Sequence, residues 1–532
     1  MEYSRWTRLV GVGVLLAAVA LSVGGCAQDD RGGGSASGGG TLRVAIAQAE
    51  PDLNSLDYKT HSFNILDQIY EPLVRYGANG TLQPGLAERW EVSADGLTTT
   101  FHLRRGVTFS DGTPFTAQAA KADLQRWLGQ ERHQFVGTTM NTASVDTPDA
   151  TTLVLKAKTP YYPTLQELTY VRPVRFRSPS AYDASGALVK PIGTGPYRLE
   201  SSTPTQVTLV RNDTYWGGRP SLDRVEFRVI PDSQARLAAL KAGEVDVIGG
   251  DYLAPLAPEE TRDLQGNSDV NILTKPSATN LLLAFNTTTG NPALADPKVR
   301  EAINYAVDRD AYAKTLFNGL AKPASQLFPP TIPYAPAAGS RTIAHDAAKA
   351  ASVLQAAGYT GSGTRAKGAT KLQVRLILDP SLLPQAKALS EAVQADLAKV
   401  GITVTISSLD STAYSDAAST RDYDLRFYLT YGPPYDPFGL LNADFRTREA
   451  AHLYATPALD AMIDKALAST TETDREAAYA GIWTQLNEAW AVVPLVETPR
   501  VWATRSTVIG FELGVTEYDL PLTKVSVSGS GG

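Results

Sequence analysis

Several short runs of this chain alternate apolar and polar residues with a period of two, the pattern of strands that bury one face. They are "TLRVAIA" from residue 41, through Leu42, Val44 and Ile46; "TTLVLKA" at 151–157; and "DRVEFRVI" at 223–230, through Val225, Phe227 and Val229. After the last of these the period changes. Asp232 or Ser233 offers a helix cap, Leu237 and Leu240 share one face, Gly243 supplies a stop, and "EVDVI" returns to strand. Strand, helix and strand in so short a span predict a crossover unit. A second unit is written in "KLQVRLIL" at 371–378, an Ala- and Leu-rich helix near 384–400, Gly401 and "ITVTIS". Between the units, "DPKVREAINYAVDRDAYAKTLF" predicts a helix opened by Pro297 with Val299, Ile303, Ala306 and Val307 along one face. Both halves of the chain therefore read as mixed α/β, and no internal repeat is visible.

Length sharpens this picture, because 532 residues exceed what one hydrophobic core usually serves, so two lobes are expected. A net charge of -6 gives no basic surface for phosphate backbones, which sets nucleic acid aside as a partner. The N-terminus carries Arg5 and Arg8, an apolar run from Leu9 to Val23 and then "GGC", the layout of an export signal rather than a spanning helix. Cys26 is the single cysteine, so no disulfide forms within the chain. Val23 to Cys26 resemble a bacterial lipobox, which implies a diacylglyceryl group on Cys26, enough to hold the protein at the cell membrane. Residues 27–40, "AQDDRGGGSASGGG", predict a flexible tether, and the folded body is expected to begin near Thr41.

Catalytic signatures do not appear: the sequence has no His-Glu-x-x-His, no Gly-x-Ser-x-Gly and no phosphate loop. Carboxylate pairs brought together by folding are invisible at this level, which keeps a membrane-tethered hydrolase as a remote alternative. His102 reads as a structural residue in a strand, and His61, His133, His345 and His452 as scattered surface residues, too few and too dispersed for a bare metal site. Aromatic and guanidinium groups do gather near turns: Tyr161 and Tyr162 before Pro163, Arg172 before Pro173, and Tyr431 and Tyr435 in "TYGPPYDPFG" at 430–439. Such groups suit a preformed pocket that orients a polar small molecule, and loop packing is the competing reading.

Four blocks carry a family resemblance: "LAERWEVSADGLTTTFHLRRGVTFSDGTPFTA", "PIGTGPYRL", "RNDTYWGGRPSLDRVEFRVIPDSQARLAALKAGEVDV" and "NPALADPKVREAINYAVDRDAY". In this order they resemble the signature blocks of the family 5 extracytoplasmic solute-binding proteins of ABC importers. Within that family, "YEPLVRYGANGTLQPGLAERW", "YYPTLQELTYVRPVRF", "QLFPPTIPYA" and "TYGPPYDPFG" are similar to the nickel-binding type.

The resemblance implies an α/β, two-lobed periplasmic-binding-protein-like fold of class II, of the large family 5 type, with a hinge between the lobes. The expected layout is a signal peptide at 1–25, lipidated Cys26 and tether at 26–40, lobe I at 41–282, lobe II at 283–496 and a return to lobe I at 497–532. It implies no reaction and no cofactor. The expected ligand is a nickel or similar metal chelate; the alternative is a di- or oligopeptide. The expected partners are ABC permease subunits and, through the lipid, the membrane, with the protein itself a monomer. Carried over by position, the ligand-binding residues are Tyr58, Phe63, Arg132, Phe135, Arg172, Tyr431, Tyr435 and Thr516, with Arg172 as the principal carboxylate-binding arginine. His452 is the nearest match to a metal-ligating histidine, displaced by about two residues from that pattern. Peptide-binding relatives place an aspartate shortly before the "DP", to pair with the ligand's amino group. Here Pro433 and Pro434 fill that interval, and a buried unpaired ammonium would cost several kcal/mol.

Overall fold

A computed structural model describes residues 40–49, 53, 62–77, 80–130, 133, 136–169, 175–249, 256, 258–337, 339–380, 383, 385–430 and 436–528. Its backbone is one long mixed sheet. From edge to edge the strands run Thr403–Ser408, Gln373–Leu378, Leu425–Leu429, Val270–Phe285, Val492–Arg505, Val247–Gly249, Thr41–Ile46, Arg224–Val229, Gln206–Arg211 and Tyr197–Thr203. The second crossover unit forms as its pattern predicts: Gln373–Leu378 and Thr403–Ser408 pair in parallel, joined by the helix Ala386–Lys399. In the first unit the strands do not pair with each other. Thr41–Ile46 lies between Arg224–Val229 and Val247–Gly249, parallel to both. Its helix, Ser233–Ala242, is capped by the Asp232 side chain accepting from the Ala235 amide and stops at Gly243, whose φ of 74° is left-handed.

The helix opened by Pro297 is shorter than its sequence pattern. It runs Pro297–Ala306, and the chain then kinks so that the Asp308 carboxylate caps a new short turn, Arg309–Ala311. Val307 is still fully buried, which is why the apolar stripe reads as continuous although the helix is not.

Two strands are far longer than the rest, Val270–Phe285 and Val492–Arg505, and they pair antiparallel from Val270 opposite Arg505 to Ala284 opposite Val492. Their ladder is interrupted after Pro276, which faces Pro499, and resumes at Asn280. Proline has no amide to donate, so the ladder is weakest there. The sequence-expected lobe limits at 283 and 496 fall inside these two strands.

Separate apolar cores lie along the sheet. One gathers Leu42, Val44, Phe227 and Trp502, another Leu283, Ile303, Leu376 and Val493. A third fills the space between the helix Ala117–Trp127 and an antiparallel four-stranded sheet, Ala87–Val92, Thr98–Leu103, Thr152–Ala157 and Thr142–Asp149. A fourth joins segments from before, between and after the long strands: Phe63, Tyr76, Leu282, Tyr479, Trp483 and Tyr518. The candidate site borders this last core. Among the described residues, no helix is long and apolar enough to cross a membrane.

Candidate functional site

Of the residues carried over from the family pattern, Phe63, Thr516 and His452 fall among the described residues; Tyr58, Arg132, Phe135, Arg172, Tyr431 and Tyr435 lie outside them, as does Cys26. The fold brings Phe63 and Thr516 to one place. Phe63 opens the helix Phe63–Ile69, and its ring centroid is 4.2 Å from that of Tyr518. The Thr516 hydroxyl oxygen accepts the Tyr518 amide at 3.2 Å, so Phe63 meets the ring of Tyr518 and Thr516 its backbone.

Two cations, buried Arg500 and half-buried Lys275, hold this loop by its backbone. Arg500 donates to the carbonyls of Thr516 and, at 2.9 Å, Gly514, while Lys275 donates to the carbonyls of Gly514 at 3.1 Å and Leu513 at 3.3 Å. Carbonyl dipoles solvate a cation without neutralising it. Burial therefore lowers Arg500 to about 10, still charged at any ordinary pH, and it also lowers Lys275. Acids pack nearby. Glu517 accepts the Ala278 amide at 2.8 Å, and burial pushes its carboxyl up to about 7; burial and the neighbouring Asp519 likewise push Asp67 up to about 7.

A second cluster is built on Asp436, the one acid of "TYGPPYDPFG". It is 1% exposed, and its Oδ1 accepts the Tyr162 hydroxyl at 2.6 Å, the Phe438 amide at 3.1 Å and the Tyr479 hydroxyl at 3.2 Å. Oδ2 has no partner among the described residues. Burial raises this carboxyl to about 6 against the lowering effect of those donors. Burial also holds Tyr162 and Tyr479 well above their ordinary value, so both remain donors.

Beside Tyr162 lies a cavity of about 880 Å³, a volume suited to small molecules. Tyr161, Tyr162, Tyr334, Arg475 and Trp483 contribute to its walls. At its rim Gly80, with φ of +74°, meets Pro333 so closely that a Cβ there would stand 2.1 Å from the proline ring. Tyr161 and Tyr162, expected as pocket groups, do line this cavity, yet their hydroxyls are used by Glu167 and Asp436. Tyr334 carries a left-handed φ of 59°, a strained state for a tyrosine. Three neighbours fix it: its ring stacks on Tyr479 at 5.1 Å, its carbonyl accepts from Trp483 Nε1 at 2.6 Å, and its hydroxyl accepts from Arg475 at 3.0 Å.

Sequence reasoning passed over Tyr334, Arg475, Tyr479 and Arg500. Tyr334 stands within the quoted "QLFPPTIPYA", but nothing local marks it; the other three sit in ordinary helix and strand patterns. The histidines divide. His102 is in the strand Thr98–Leu103 as expected and His345 is exposed, but His133 is fully buried, its ring centroid 4.4 Å from that of Trp127, and is not a surface residue. His452 lies in a turn with Nδ1 donating to the Glu449 carbonyl at 2.6 Å, which leaves Nε2 as the nitrogen able to meet a metal. Among the described residues, no three His, Cys, Asp or Glu side chains come together as a metal site requires.

A mixed sheet threaded by two long strands, together with a cavity walled by aromatic and polar side chains, fits a binding protein. The model of bacterial extracellular solute-binding proteins, family 5 (middle), matches residues 81–451, and the chain belongs to that family. It is 34% identical over 461 residues to the nickel-binding periplasmic protein of Escherichia coli (strain K12), covering 83% of this chain and 86% of that protein. Among solved structures, NikA from Brucella suis in complex with Fe(III)-EDTA superposes with a TM-score of 0.84 at 33% identity, covering 92% of this chain and 99% of that one. The periplasmic binding protein DppA from Helicobacter pylori in complex with the peptide STSA superposes with a TM-score of 0.73 at 25% identity, covering 92% and 98%. The fold is thus the large two-lobed family 5 fold, and the protein is an extracytoplasmic solute-binding component of an ABC transporter, with a small molecule or peptide as its ligand.

Proposed function

We propose that this protein captures a nickel or similar metal chelate between its lobes and delivers it to an ABC permease. In this reading the metal is cargo that arrives with its own ligands. Arg172 and Arg132 would hold the chelator's carboxylates through charge-assisted bonds, with Tyr58, Phe63, Phe135, Tyr431, Tyr435 and Thr516 around them. His452 Nε2 is the single imidazole nitrogen proposed as a direct ligand.

The observation that carries this over the peptide reading is the state of Asp436. With Pro433 and Pro434 before it, Asp436 is the acid left to receive a ligand's ammonium, and its Oδ1 already serves two tyrosines and an amide while Oδ2 is closed off from solvent. The similarity to the nickel-binding protein over most of both chains supports the same choice. The peptide-binding neighbour supports the alternative.

Calorimetry on the mature protein separates them. Nickel with free histidine should bind where neither binds alone, and Arg172→Ala should weaken that binding about tenfold or more, since charged hydrogen bonds contribute on the order of 1.5–3 kcal/mol. Tight binding of di- or oligopeptides with no response to the chelate would sink the proposal. We further propose that Cys26 carries a lipid anchor; Cys26→Ser should move the protein from the membrane fraction to the soluble one.

A further inference from the structure

Tyr162 precedes the first long strand, whereas Tyr334, Asp436, Phe438, Arg475 and Tyr479 all lie between the two long strands. Its ring enters a socket formed by that second group. The Arg475 guanidinium lies 4.0 Å from the ring centroid, and the Tyr334 and Phe438 rings stand edge-on to it at 6.1 and 6.3 Å. At the bottom of the socket the Tyr162 hydroxyl reaches Asp436 at 2.6 Å, with the Tyr479 hydroxyl 2.5 Å away. Asp436 follows directly on Tyr435, the end of the aromatic stretch assigned to the ligand.

We propose that Tyr162 is a positioning residue: it seats Asp436 only while the two lobes are together. The clasp rests on the lobe layout that the family pattern implies, and not on the identity of the ligand. Parting the lobes would withdraw the Tyr162 hydroxyl and let water reach Asp436. A hydrogen bond in a dry pocket is stronger than the same bond in water, so the contact favours the closed form.

Among the described residues, the titratable groups facing Asp436 are Tyr76 on the strand Val74–Tyr76, Tyr161 and Tyr162, and Tyr334, Arg475 and Tyr479 around the socket. Arg475 is the one cation among these, and it is already bonded to Glu472, Tyr334 and the Ser469 carbonyl. Closed, Asp436 sits at about 6; in a hydrated, open socket it should return toward about 4. The closed form therefore binds a proton more tightly, and Oδ2, without a partner among the described residues, can carry it. Closure gains as the pH falls below about 6 and loses that gain as the pH rises through it.

The test is the distance between spin labels on the two lobes of the full chain without ligand, between about pH 5 and about pH 7. The wild type should show a larger closed population at the acid end. Tyr162→Phe should lower the ratio of closed to open by about fivefold while melting like the wild type. Asp436→Asn, with an amide oxygen to accept from Tyr162 and no proton to exchange, should lose the pH dependence. An unchanged ratio in Tyr162→Phe, a wild type whose closed population ignores pH, or an Asp436→Asn variant that keeps the wild-type profile would each overturn the proposal. Calorimetry with nickel plus histidine separates this from the ligand reading. Binding lost in Arg172→Ala with spin distances unchanged in Tyr162→Phe removes the clasp alone; binding unchanged in Arg172→Ala removes the ligand site and leaves the clasp to the spin distances.

Discussion

At Asp436 a carboxylate is buried against hydroxyls, and at Arg500 a guanidinium is buried against carbonyls. Both clusters bury a charge among dipoles rather than beside a formal counter-charge. The consequences differ because the starting values differ. Burial lowers Arg500 only to about 10, so it remains a cation across the physiological range, whereas it raises Asp436 to about 6, within reach of mild acid. Arg500 is thus a fixed wall, whereas Asp436, like Glu517 and Asp67, has a charge state that can follow its surroundings.

The largest expected effect tests the fixed wall. Arg500→Met would strand the Thr516 carbonyl and leave that of Gly514 to Lys275 alone, and a lost charged hydrogen bond of this kind is worth roughly 1–3 kcal/mol, so urea unfolding should show a loss of up to about 3 kcal/mol. Arg500→Lys keeps the charge but lacks the fork that reaches both carbonyls, and should recover part of it. A full-strength Arg500→Met variant would mean that the loop is held by Lys275 alone.

Glu517, next to Thr516 in the loop that Arg500 holds, titrates as Asp436 does rather than as Arg500 does. Its carboxyl sits at about 7 folded against an ordinary 4.5, so its contribution to stability is fully present below pH 4.5 and is lost as the pH rises through about 7. Glu517→Gln should flatten that dependence and stabilise the protein by about 2 kcal/mol above neutrality, with little gain in acid, as read from melting temperature against pH. An identical pH profile in the variant would place the titrating group elsewhere, with Asp67 the next to test. The smallest effect belongs to His452, half-exposed in a turn: His452→Ala should change stability by no more than about 0.5 kcal/mol, and any larger loss should appear only in chelate binding.

The crossover strands and their helices were legible because each is a local pattern: alternation in "KLQVRLIL", a cap at Asp232, a left-handed stop at Gly243. Where Thr41–Ile46 inserts was not legible, since pairing between residues nearly two hundred positions apart leaves no mark on the local period. The break after Ala306 was hidden for a related reason. Val307 is buried whether or not the helix continues, and the apolar stripe reports burial rather than backbone hydrogen bonding.

The sequence by itself determined the mixed α/β class, the family blocks, the scarcity of metal-binding side chains and the missing acid before "DP", because all of these are matters of residue identity and order. Only the tertiary structure decided what becomes of the acid that is present. Asp436 could have faced a ligand; instead a tyrosine 274 positions earlier and another 43 positions later converge on one of its oxygens. Such a contact depends on the long strands bringing distant segments together, and no property of the residues next to Asp436 encodes it.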